Sequence, residues 1–217
     1  MSQLDCDVAI GYNLLVVGAT DAGVHDMVTA YLEEPTTTRL PPSFLRSNQK
    51  PVRLANNRLI VLDIIERPGD IFRECCGDLV RCHGVLLVYS PTSAASFQYV
   101  VRFHEQMIRS KWRSLPVVLF ANIPPRRGVK QVHGCNGRSF ADAHAIPFIE
   151  ALPGRPSPVP FTVLLDSARR HHEASTSPTS FGEGIIDFFT VAAAKVSHAA
   201  RSHFPTFPTP HASGRTA

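Results

Sequence analysis

The chain has 217 residues, 44% of them hydrophobic, and a formal net charge of +4, enough for one globular domain with a sizeable core. Its cations are dispersed in pairs such as Arg126-Arg127 and Arg169-Arg170; without a basic stripe, nucleic-acid binding is not expected. No apolar run is long enough to span a bilayer, and five cysteines at irregular spacing point to reduced thiols in an intracellular compartment.

Strands and helices alternate along the chain, the pattern of an α/β fold with a largely parallel sheet. Leu14–Val17 predicts a first buried strand and Val24–Glu33 an amphipathic helix. Between them, Gly18 and Gly23 have the G-x-x-x-x-G spacing of a loop whose backbone N–H groups curl around phosphate. The lysine and hydroxyl residue that should follow are replaced by Val24 and His25, and Asp21 places a carboxylate inside the loop. Thr36–Gln49 reads as an exposed loop. Val52–Leu54 and Leu59–Ile65 flank Asn56-Asn57, a pair tolerant of left-handed dihedrals, and predict a hairpin.

Ile71–Cys82 predicts a short helix, Gly84–Tyr89 a strand covered on both faces, and Ser93–Trp112 a long helix with its apolar residues at helical spacing. Cys75, Cys76, Cys82 and His83 invite a zinc reading, but Cys75 and Cys82 share an apolar helix face with Phe72 and Leu79, so packing is preferred to metal. Val117–Ala121 is the next buried strand, and a helix over Arg138–His144 precedes a strand at Ile146–Glu150. Residues 151–180, with five prolines, read as an insertion. Gly184–Val196 carries one apolar face and predicts the last helix; residues 201–217 have almost no periodicity and read as a disordered tail.

This order of elements resembles the Ras superfamily of small GTPases, most clearly in Tyr12–Ala19, Leu62–Ile65, Gly84–Ser90 with Ser96-Phe97, and Phe140–Glu150. The resemblance implies a P-loop NTPase-type fold: a mostly parallel six-stranded sheet with one antiparallel edge hairpin and helices on both faces. Residues 1–11 would then be an N-terminal extension, 12–198 the domain with its insertion at about 151–180, and 199–217 a tail. It also implies a ligand, GTP or GDP with Mg²⁺, and assigns positions to it. Gly18, Asp21, Gly23, Val24 and His25 form the phosphate loop, where Val24 offers no charge and His25 no hydroxyl for Mg²⁺.

Ser43 is the nearest match to the switch I threonine that binds Mg²⁺, and Glu66-Arg67-Pro68-Gly69 stands for the D-x-x-G turn of switch II. Gly69 would present its N–H to a γ-phosphate, and Asp70 occupies the position of the water-orienting glutamine, where a negative charge is unfavourable. Asn122 keeps the first residue of the guanine-reading N-K-x-D motif, while Pro125 removes its carboxylate. Ala151–Gly154 replaces the S-A-K loop, unless Phe161–Leu165 is the true last strand and Asp166–Arg169 retains part of that loop; the first placement is preferred.

Taken together, the substitutions predict a pseudo-GTPase: the fold kept as a protein-interaction module in signalling or trafficking, with effectors or a complex as partners. The alternative is an atypical nucleotide switch with weak or no hydrolysis, in which Arg155, Arg169 or Arg170 reaches the phosphates in place of lysine. A third reading makes the Pro-rich segments 151–160 and 204–210 recognition motifs. Ser2 stands where N-myristoylation requires glycine and Cys135 is the last cysteine, so no lipid anchor is expected and a cytoplasmic protein recruited to organelles by partners is.

Overall fold

A computed structural model describes residues 8–36, 45–69, 72–123, 128–151 and 157–176. These lie in the first of two compact units, residues 1–181. The elements are β1 (Val8–Gly18), α1 (Val24–Glu33), β2 (Gln49–Arg53), β3 (Leu59–Pro68), α2 (Cys76–Leu79), β4 (Gly84–Tyr89), α3 (Ala94–Ile108), β5 (Val117–Ala121), α4 (Gly134–Ala143), β6 (Phe148–Glu150) and α5 (Val159–Thr176). The six strands form one sheet in the order β2-β3-β1-β4-β5-β6. The β2–β3 hairpin is antiparallel and every other neighbouring pair is parallel. Asn57 turns that hairpin with φ 66°.

The period of two along each central strand builds two cores. Leu14 and Val16 of β1, Leu86 and Val88 of β4, and Val118 and Phe120 of β5 face α1 and α5. Leu15, Val17, Val85, Leu87 and Leu119 face the other layer, where Leu79, Val100, Phe103, Met107 and Ala141 come from α2, α3 and α4. Burial on both faces is the reason these strands are continuously apolar. The strand order reverses at β1, whose neighbours β3 and β4 continue the chain to opposite sides. A crevice therefore opens at the carboxyl end of β1, beside Gly18.

The largest correction concerns the segment expected to be an insertion. Residues 159–176 form α5, and Phe161–Leu165, weighed as a last strand, is part of that helix. Pro158 precedes it and Pro160 lies in its first turn, where a missing N–H removes no intrahelical bond. Phe161, Leu164, Leu165 and Ala168, at i, i+3, i+4 and i+7, are the buried stripe. Phe161 stacks on Tyr31 of α1 with ring centroids 3.9 Å apart. The last strand is β6, as preferred, and the helix predicted at Gly184–Val196 lies outside the described residues, as do residues 1–7 and the tail.

Smaller differences have local causes. β1 begins at Val8, inside the expected extension, because it pairs with β3 from Leu59 onward. The helix expected over Ile71–Cys82 shrinks to Cys76–Leu79; before it, Cys75 N–H donates to Phe72 O and Cys76 N–H to Arg73 O in four-residue turns of the 3-10 type. α3 stops at Ile108, where Ser110 Oγ donates to Met107 O and accepts from Trp112 N–H. α4 starts at Gly134, ahead of the expected Arg138.

Candidate functional site

At the crevice, β1 ends in Gly18, a short 3-10 turn spans Thr20–Ala22, and Gly23 leads into α1. A Cβ at Gly18 would stand 2.6 Å from Val88 O and 2.7 Å from Val24 Cγ2, so only glycine fits. Gly23 has φ 68° and ψ 35°, the left-handed region open to glycine. Asn122, at the end of β5, donates from Nδ2 to Ala22 O (2.8 Å) and Gly23 O (3.3 Å). These contacts hold the strand, loop and helix in the frame of a phosphate site.

The groups inside that frame bond to one another. Val24 is 1% exposed and belongs to the core between the sheet and α1. Gly69 has φ 76° and donates its N–H to Gly18 O at 2.7 Å, extending the β1–β3 ladder by one bond past Pro68. A Cβ on Gly69 would meet Thr20 Oγ1 at 2.7 Å, so the two loops are in contact. His25 Nδ1 lies 3.1 Å from Glu66 Oε2; the carboxylate accepts, so Nδ1 carries the proton. Asp21 is exposed on the loop.

One residue beyond Glu66, Arg67 Nε donates to Asp78 Oδ2 at 2.8 Å, and Arg81 Nη2 donates to Asp78 Oδ1 at 2.8 Å. Asp78 is only 4% exposed, so its charge is offset by two guanidinium bonds in a largely desolvated place. This clamp joins the end of β3 to α2. Arg67, Asp78, Arg81 and Thr20 were not legible as site residues. The one sequence signal was the i, i+3 spacing of Asp78 and Arg81.

On the base side, Ile123 packs against the core, and Ala151 is buried with its N–H on Ala121 O at 2.9 Å. Lys130 Nζ reaches Glu150 Oε1 at 3.1 Å. Ser43, Asp70, Pro125 and residues 152–154 lie outside the described residues. The arginines expected to substitute for lysine are not gathered here. Arg169 pairs with Asp166 and Glu173 along α5, and Arg170 Nη2 donates to Ser167 Oγ. His172, farther along the same helix, lies 6.4 Å from the ring of Tyr12, about 20 Å along β1 from Gly18. Arg155 is outside the described residues.

Two other groups bear on the chemistry. Cys75 and Cys82 are buried in the core on the α2 side, and burial pushes the Cys82 thiol up to about 12. No group of three metal-ligating side chains is placed to hold an ion among the described residues.

The strand–loop–helix crevice, the strand order and the sequence have one family in common: a model of the Ras family matches residues 13–153. The chain belongs to the Ras family. In that family the crevice receives a guanine nucleotide and Mg²⁺, but the Ras-family positions here do not fit them. Val24 supplies no cation, Gly69 N–H is already donated, and Glu66 is bonded to His25 where the resemblance places a metal ligand.

Proposed function

We propose that this Ras-family protein is a pseudo-GTPase, a fold retained as a protein-interaction module in intracellular signalling or trafficking. It acts in the cytoplasm and reaches organelle surfaces through its protein partners. The observation that carries the reading is the Gly69 N–H bond to Gly18 O. It occupies the donor that a γ-phosphate would need. The internal His25–Glu66 pair and the buried Val24 support it at the metal and lysine positions. The alternative, an atypical switch, is disfavoured by the distance of Arg169 and Arg170 from the loop.

Thermal unfolding tests the reading. A ligand at about a hundredfold over its Kd adds about 2.7 kcal/mol, which raises the Tm of a domain this size by several degrees. GTP or GDP with Mg²⁺ is expected to leave the Tm unchanged; a rise of several degrees with either would contradict the proposal.

A further inference from the structure

We infer that the end of β3 is latched to α2 in one conformation that no nucleotide sets. This deepens the pseudo-GTPase reading and rests on it, since it assigns the regulation of the same site. The juxtaposition that carries it is threefold. Gly69 N–H donates to Gly18 O at 2.7 Å, His25 Nδ1 donates to Glu66 Oε2 at 3.1 Å, and Arg67 and Arg81 both donate to the buried Asp78 at 2.8 Å.

Each bond restrains a different direction of motion. The Gly69 bond is the last of the parallel ladder, so it holds the end of β3 against β1 one bond beyond the Gly18–Pro68 pair. Thr20 lies against the same turn, close enough that a Cβ on Gly69 would stand 2.7 Å from its Oγ1. The Asp78 clamp ties β3 to α2, and withdrawing Arg67 would strip a desolvated carboxylate of one of its two partners. The His25–Glu66 pair is exposed on the histidine side and is the weakest of the three. A switch needs two arrangements of similar free energy, and a ligand that prefers one. Here a single arrangement is bonded internally, and the groups that would prefer the other are substituted.

Site-resolved amide exchange on the full chain, purified without added nucleotide, tests the latch. The Gly69 amide is expected to exchange at least about tenfold more slowly than a free peptide N–H, unaltered by GTP, GDP, Mg²⁺ or EDTA. Arg67→Gln is expected to speed that exchange several-fold while the central β1, β4 and β5 amides stay protected. His25→Ala, a change at an exposed side chain, is expected to speed it less and serves as the second variant if Arg67→Gln does not fold.

An unprotected Gly69 amide in the native chain, or protection that changes with nucleotide, would overturn the latch. So would unchanged Gly69 exchange in both variants. The two proposals fail separately. Bound GDP with an unmoved Gly69 amide removes the pseudo-GTPase reading and supports the latch, whereas an unprotected amide in nucleotide-free protein removes the latch alone.

Discussion

Val24 shows how much a single side chain decides. Its isopropyl group lies against Gly18 and is 1% exposed, at the position where the family places a phosphate-binding lysine. Restoring that lysine would bury an ammonium group in the apolar core between the sheet and α1 rather than repair a site. Val24→Lys is therefore expected to cost more than about 2 kcal/mol in denaturant unfolding. It is expected to bring no guanine-nucleotide binding by calorimetry, because His25 and Pro125 still stand at the metal and base positions.

His104 on α3 is a second residue with a measurable signature. It is 5% exposed, its Nδ1 has no hydrogen-bond partner among the described residues, and its ring lies edge-on to His144 and Phe140. Burial, helped by the neighbouring His144, lowers its pKa from 6.5 to about 4. Because the folded value is below the unfolded one, the folded chain binds this proton less readily than the unfolded chain. Stability from this group is complete above pH 6.5 and declines as pH falls toward 4, by about 3 kcal/mol over the window. Urea unfolding at a series of pH values should show that decline, and His104→Leu should flatten it.

At the scale of elements, the α1–α5 contact makes the last described helix part of the domain rather than an addition to it. Phe161 is fully buried and stacks on Tyr31. Phe161→Ala is expected to cost about 3–5 kcal/mol in denaturant unfolding. Lys50, 5% exposed on β2, reinforces the same helix: its Nζ donates to the carbonyls of Tyr31 and Glu34 at the end of α1, near the Glu34 carboxylate. Burial lowers the Lys50 pKa, against the opposing pull of Glu34. It shares a strand face with Val52, and that parity was the only hint of its burial.

The same elements mark the limit of what the sequence discloses. β4 and β5 were legible because burial on both faces leaves an unbroken apolar run, and α3 because fifteen residues carry one helical stripe. α5 was not, since its prolines read as breakers although both sit at or before the first turn, where they cost a helix little. Its stripe of Phe161, Leu164, Leu165 and Ala168 is the helical signal the segment carries.

At the scale of the whole molecule, the frame of the site was legible and its occupancy was not. The spacing of Gly18 and Gly23 locates the loop, and substitutions at 24 and 25 show what it lacks. Whether Gly69 N–H is free or bonded depends on how far β3 runs along β1, a long-range matter that no local pattern encodes. The same holds for Arg67, whose partner lies eleven residues away on another element. The family's fold positions these residues, and the pseudo-GTPase proposal rests on their mutual bonding.

The donor and the carboxylate that would face a nucleotide and its metal are engaged by the protein's own groups, Gly69 N–H by Gly18 O and Glu66 by His25. Chromatography of the small molecules released when freshly purified, undialysed protein is denatured tests most directly whether they exclude a nucleotide. The account predicts no guanine nucleotide in the released fraction; GDP or GTP in stoichiometric amount would contradict it.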